Sequence, residues 1–306
     1  MATFYSNGKL LITGEYVVLD GAKAVALPTK FGQTLTVNTI DGSKIIWKSL
    51  DENNSIWFEA VFEFVDKKIV QIEQNDTQVS ERLIQILNAA QQLNPDFLNK
   101  NEGYLITSKL DFPKNWGLGS SSTLLNNIAQ WAKIDAFKLS NITFGGSGYD
   151  IACAQSNSAI IYSIENRLPK IELTSFKKSF ESQLFFVHLN QKQNSRESIK
   201  TYQNNKHNLT ETISKINKTT TQFLEVNTLK AFETLIEEHE RLIGEITNQK
   251  PIKKRLFSDF KNAIKSLGGW GGDFILVTGN REYVVDYFKN KGFKTIVSYK
   301  DIILNF

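Results

Sequence analysis

The residues best suited to chemistry lie in one short run, Trp116-Gly117-Leu118-Gly119-Ser120-Ser121-Ser122-Thr123. Its two glycines let a backbone approach a ligand closely, and its three serines stand directly ahead of an apolar, helix-periodic segment. The first amides of a helix have no intrahelical acceptor, and with the helix dipole they favour an anion, phosphate above all. Hydroxyls at such a terminus can cap the helix, touch phosphate oxygens or reach a magnesium ion. The run lacks the Gly-Lys-Ser/Thr of a Walker loop and the three glycines of a dinucleotide fingerprint. A plain turn and N-cap would use the same residues, so the rest of the chain has to decide between the two readings.

The elements that must position this loop alternate between strand and helix signals. Lys9 to Ile12, Tyr16 to Leu19 and Ala24 to Leu27 read as short strands punctuated by Gly14, Asp20-Gly21 and Pro28. Phe31 to Thr39 alternates as a further strand, and Asp41-Gly42 marks a tight hairpin before Ile45-Ile46-Trp47. Strands are expected at Trp57 to Phe64 and Tyr104 to Leu110, with a helix at Ser80 to Leu93 between them. Behind the loop helix, Gly145 to Asp150 reads as a linker ahead of the apolar run Ala159 to Tyr162. Composition shifts near Leu168-Pro169, which sets the expected domains at 1–168 and 169–306. The second part opens with a buried strand, Leu184 to Leu189. It continues with helical segments near 195–220, 227–247 and 252–266, a strand at Phe274 to Thr278, a helix at Arg281 to Asn290 and a strand at Lys294 to Ser298.

Composition narrows the class. A chain of 306 residues, 41% hydrophobic and 22% charged, can bury a sizeable core as an ordinary soluble protein. The single cysteine, Cys153, excludes an intramolecular disulfide and fits a reducing compartment. With no secretory leader and no membrane-length apolar run, the expected location is cytoplasmic and no membrane partner is expected. The net charge of +4 is scattered, and the one tight basic cluster, Lys253-Lys254-Arg255, reads as a solvated helix start rather than a nucleic-acid face. His188, His207 and His239 lack zinc-ligand spacing.

Three segments in order now line up: Ser6 to Gly21, the glycine–serine run, and Lys265 to Phe274. Together they resemble the three motifs of the GHMP small-molecule kinases, and the likeness spans nearly the whole chain. Gly14-Glu15-Tyr16, the segment Gly146-Ser147-Gly148-Tyr149-Asp150-Ile151-Ala152, and Gly271-Gly272-Asp273 are most similar to the phosphomevalonate kinases. The resemblance implies an α+β, two-domain fold. Its N-terminal β-α domain would be of ribosomal-protein-like type and its C-terminal domain ferredoxin-like, with the active site in the cleft. It also implies ATP and Mg²⁺ as cofactors and γ-phosphoryl transfer to mevalonate 5-phosphate or mevalonate.

Residue roles implied by the resemblance follow. Asp150 would act as catalytic base or orienter of the acceptor oxygen, and Lys9 would neutralise charge near the transferred phosphoryl. Gly117, Leu118, Gly119, Ser120, Ser121 and Ser122 would hold the nucleotide, with Ser121 also reaching magnesium. Glu15 would face the substrate or pin the first loop; Tyr16, Gly268, Gly269 and Gly271 would lie on the substrate side, with Lys192 and Arg196 holding a carboxylate or phosphate.

Two departures stand out. Leu267 and Gly269-Trp270 replace the hydroxyl residue and the Ala-Gly usual in the third motif, so Trp270 must point away from the phosphates or remodel the acceptor pocket. Between Thr123 and Asp150 the only acid is Asp135, which leaves no glutamate to serve as a second magnesium ligand. The alternative reading is therefore a catalytically impaired nucleotide-binding protein of this fold, acting as sensor or assembly partner. The expected partner is a small molecule rather than nucleic acid, and the sequence leaves the oligomeric state open, a homodimer among the options.

Overall fold

The computed structural model describes residues 1–65, 68–73, 77–98, 102–191, 199–200, 202–204, 206 and 209–304. They form two compact units whose membership interleaves along the chain. One holds 1–8, 31–114 and 119–155; the other holds 9–30, 115–118 and 156–306. The architecture is mixed α+β.

In the first unit the strands run in the order Lys68–Glu73, Ile56–Val65, Ile45–Leu50, Gly103–Leu110 and the later half of Ala24–Ile40, which also pairs with Ala2–Leu11. Ile45–Leu50 alternates buried and half-buried residues, so one face carries the core. Trp47, Phe62 and Ile106 on that face pack with Leu87 of helix Thr77–Leu93, Ile128 of helix Ser120–Ala132 and Leu139 of helix Ala136–Thr143. The Asp135 side chain caps the last of these by accepting from Phe137 N and Lys138 N.

Asp41-Gly42 does not make the expected hairpin. Gly103–Leu110 lies between the two strands it joins, antiparallel to Ala24–Ile40 and parallel to Ile45–Leu50. Glycine makes this insertion sterically possible: a Cβ at Gly103 would lie 2.9 Å from Ile40 Cγ1 and about as close to the carbonyls of Ile40 and Lys44. Tyr104 N–H then bonds Lys44 O at 2.8 Å. Pro28 does not end a strand either, because Ala24–Ile40 runs through it for 17 residues. The expected linker up to Asp150 is corrected as well, since helix Tyr149–Ala154 begins inside it.

In the second unit, strands Ile160–Glu165 and Leu168–Leu173 form a hairpin that continues from Ala24–Ala26. A separate four-stranded antiparallel sheet runs Ile264–Ser266, Phe274–Thr278, Leu184–His188, Ile296–Ser298. Helices Leu209–Glu225 and Leu229–Thr247 pack together, and Arg281–Asn290 covers the sheet through Val284 and Phe288. Tyr16 to Leu19 is not a strand: Val17–Asp20 is a 3-10 turn whose Val17 and Val18 are buried, entered through Tyr16 at φ 65°. The helix expected over 252–266 stops at Leu256, and Lys265 and Ser266 belong to a strand whose three residues are all buried.

Candidate active site

Gly119 takes a left-handed conformation (φ 92°) at the head of helix Ser120–Ala132, and no side chain caps the first turn. The leading amides of that helix are therefore available as donors. The hydroxyls divide their work. Ser122 is buried and donates back to Gly119 O at 2.8 Å, while Thr123 donates to Gln33 Oε1 at 2.6 Å. Ser120 and Ser121 make no side-chain hydrogen bond among the described residues, and Ser121 is exposed.

The helix is held in place by two buried amides in its middle. Asn127 donates to Gln33 O (2.8 Å) and accepts from Ser6 Oγ (2.7 Å), and Asn126 donates to Ser6 Oγ (2.8 Å). Asn126 also accepts from Gln155 Nε2 at 2.9 Å, which ties in the end of helix Tyr149–Ala154. Asp150 sits half-buried in the first turn of that short helix, behind a left-handed Gly148. The two helices pack together, so this unit carries both the glycine–serine terminus and the candidate carboxylate.

The segment leading into the loop is set by the second unit's own residues. Lys9 Nζ donates to Gly117 O at 2.9 Å, and Lys9 N–H to Leu118 O at 2.9 Å. His188 Nδ1 accepts from Asn190 N, so its Nε2 carries the proton and donates to Asn115 O at 2.9 Å. Trp116 and His188 both pack edge-on against Phe274. Gly117, at φ 66°, leaves no room for a side chain: a Cβ there would sit 2.2 Å from the Asp273 carboxyl carbon.

Glu15 does not reach solvent. Its Oε1 lies 2.5 Å from Lys265 Nζ, and its Oε2 lies 3.4 Å from His239 Nε2. That nitrogen already accepts Gly14 N–H at 3.0 Å, so His239 is the Nδ1-protonated neutral tautomer, kept uncharged first by burial and then by Lys265. Glu240 accepts from Ser266 N (3.0 Å) and Ser266 Oγ (2.6 Å) and lies 3.5 Å from Lys265 Nζ. Two buried carboxylates thus face one ammonium. Burial is the main cause that pushes Glu240 up to about 7 and Glu15 upward too, which favours retention of a proton.

Tyr16 is buried against Tyr202 and, in the same cluster, Trp270. Trp270 does turn away from solvent, with its ring in that core and its Nε1 without a partner among the described residues. Gly268 is left-handed (φ 55°), and Gly268, Gly269 and Gly271 are half-exposed around the sunken indole. Lys192 and Arg196 lie outside the described residues. Sequence reasoning missed Lys265, Glu240, His239, His188 and Asn126-Asn127, whose partners are distant in the chain. Only Asn126-Asn127, two amides inside an apolar helix, carried a usable signal. Among the described residues there is no group of three or more His, Cys, Asp or Glu that could hold a metal.

No family model matches the chain, and no curated protein matches it. Solved structures do. The L. major mevalonate kinase in complex with R-mevalonate superimposes with a TM-score of 0.69 at 15% identity, covering 100% of this chain and 96% of the other. The Streptococcus pneumoniae phosphomevalonate kinase in complex with phosphomevalonate and AMPPNP gives 0.66 at 16%, covering 95% and 96%. The Lactococcus lactis galactokinase complexed with galactose gives 0.62 at 13%, covering 97% and 92%. The chain has the fold of the GHMP small-molecule kinases.

Proposed function

We propose that this chain is an ATP- and Mg²⁺-dependent kinase that transfers a γ-phosphoryl group to mevalonate 5-phosphate or mevalonate. The observation that carries the reading is the uncapped first turn at Ser120 to Ser122, with Ser120 and Ser121 hydroxyls not engaged elsewhere among the described residues. Amides and hydroxyls there suit a triphosphate tail, and Lys9, whose ammonium is anchored on Gly117 O, is assigned the neutralisation of charge near the transferred phosphoryl. Asp150 would accept a hydrogen bond from the acceptor and aim its oxygen at the γ-phosphorus, since phosphoryl transfer needs mainly positioning and charge neutralisation.

Magnesium would be a lightly held ion here, since no group of three or more His, Cys, Asp or Glu gathers to hold it among the described residues. Ser121 and Asp150 would supply protein oxygens, and phosphate oxygens and water the rest, as this cation prefers. When bound, the ion would supply positive charge to offset that of the phosphates. Gly268 to Gly271 are assigned to the acceptor side, and Glu15 and Tyr16 act from beneath it by fixing the first loop. The likeness to a phosphomevalonate kinase holding AMPPNP supports the nucleotide. No helix among the described residues is long and apolar enough to cross a membrane, and with its lone cysteine buried we place the enzyme in the cytoplasm.

The test is ADP release measured with mevalonate, mevalonate 5-phosphate, homoserine and galactose in turn. One of the two mevalonates should turn over, and Asp150→Asn should abolish turnover while leaving AMPPNP affinity measured without Mg²⁺ within about threefold. Tight AMPPNP binding with no turnover on any acceptor would instead favour the nucleotide-binding, non-transferring protein, a reading motivated by the absence of a glutamate between Thr123 and Asp150.

A further inference from the structure

Strand Leu168–Leu173 ends its sheet, and all six of its residues are exposed. It returns from Ile160–Glu165 through Asn166 and Arg167, both left-handed (φ 52° and 64°), the geometry of a two-residue type I′ hairpin. Thr174 N–H donates to Ala159 O at 2.9 Å, one step along the register that pairs Leu173 with Ile160. Bonded pairs alternate along an antiparallel ladder. Leu168, Lys170 and Glu172 therefore bond inward, while Pro169, Ile171 and Leu173 aim their backbone groups out of the sheet.

Side chains opposite one another share a face. Ile171 stands opposite Tyr162 and Leu173 opposite Ile160, both of which are buried, yet Ile171 is 40% and Leu173 74% exposed. An apolar row thus extends the buried face beyond its cover. Lys170 and Glu172 occupy the other face, where Lys170 also meets Glu165. Exposed edges are usually blunted by charge or proline. Pro169 removes one outward donor here but leaves the Ile171 and Leu173 amides pointing outward.

We propose that this edge pairs with the same edge of a second copy of the chain, antiparallel about a two-fold axis at Ile171. In that register each Ile171 exchanges both backbone bonds with its mate, and each Leu173 N–H meets a Pro169 carbonyl. Ile171 packs on Ile171 and Leu173 on Pro169 along the apolar face. On the other face Lys170 of each copy stands opposite Glu172 of its mate, at the close spacing of a non-bonded pair. Slipping the register by one bonded step in either direction would oppose Lys170 to Lys170 or Glu172 to Glu172. Charge therefore selects the two-fold arrangement, whose isologous contact closes at two copies.

Sedimentation equilibrium of the full chain over a concentration series tests this, with circular dichroism to check folding. The parent should associate to a dimer. Ile171→Asp should leave a folded monomer, and Lys170→Glu should raise the dimer dissociation constant about tenfold or more, because two attractive pairs become repulsive. The charge swap Lys170→Glu/Glu172→Lys should recover most of that loss. A parent that stays monomeric at every concentration, a dimer indifferent to Ile171→Asp, or a swap no better than the single change would each overturn the proposal.

Discussion

The ammonium of Lys265 lies 2.5 Å from Glu15 Oε1 with both side chains fully buried, so the Gly14-Glu15-Tyr16 segment and the strand before Gly268 are joined by an ion pair out of reach of water. Removing one partner of such a pair is far costlier than the pair's net contribution, because the other charge stays buried and uncompensated. Lys265→Met should destabilise the chain by about 3–5 kcal/mol in urea unfolding. Adding Glu15→Gln should recover part of it. A Lys265→Met protein within about 1 kcal/mol of the parent would show that the pair does not hold the two segments.

The same cluster sets a pH dependence. Glu240 is pushed up to about 7 by burial, against the pull of Lys265 and its bonds from Ser266, where an ordinary carboxyl sits at 4.5. Its stabilising contribution is whole below the unfolded value and is lost as pH rises through about 7. His239, lowered by burial, acts the opposite way: it favours the folded chain above 6.5 and loses that contribution below. Comparing the parent with Glu240→Gln cancels the histidine. The parent should lose stability relative to the variant between pH 5 and 8, with a slope of at most about 1.4 kcal/mol per pH unit. Parallel curves would mean that no proton is held there.

Gly117→Ala meets two obstacles, a left-handed backbone and the Asp273 carboxyl at 2.2 Å from the new Cβ. The backbone alone costs about 1–2 kcal/mol, and the clash must be relieved by moving Asp273, itself left-handed at φ 54°. We expect thermal unfolding at least several degrees lower. Asp273→Gly in the same chain should return part of the loss, because it removes the carboxyl and the second strained residue together. If the double variant is no better than Gly117→Ala, steric pressure from Asp273 is not what fixes the glycine.

The serines should separate by role. Ser122→Ala removes the bond to Gly119 O and should cost about 1 kcal/mol of stability, with little effect on AMPPNP affinity. Ser121→Ala should leave stability within about 0.5 kcal/mol and weaken Mg²⁺-AMPPNP binding about tenfold in calorimetry. The reverse pattern would move the ligand off Ser121.

What the sequence revealed followed from local patterns. The glycine–serine run showed the loop because turn chemistry and helix onset are short-range, and Ser120 begins the helix as the apolar periodicity requires. What stayed hidden was set by partners far along the chain. Lys265 reads as an ordinary helix lysine until Glu15, 250 residues away, is placed beside it. The chain does bend at Asp41-Gly42, but the pairing across it is decided by Gly103–Leu110, whose glycine alone can enter beside Ile40. Val17 and Val18 carry strand-forming side chains, yet their hydrophobic burial is satisfied in a 3-10 turn.

The interleaved membership of the two units has a consequence for biosynthesis. Every residue of the first unit has been made once the ribosome reaches Gln155, whereas Lys9–Lys30 belong to a body that ends with the last residues of the chain. Leu10, Leu11, Ile12, Val17, Val18, Val25 and Leu27, all buried in the finished protein, must therefore wait uncovered while the second half is translated. The nascent polypeptide carries this sticky early segment until residues beyond Gln155 have emerged to cover it, a stage at which chaperone capture or misassembly is most to be expected.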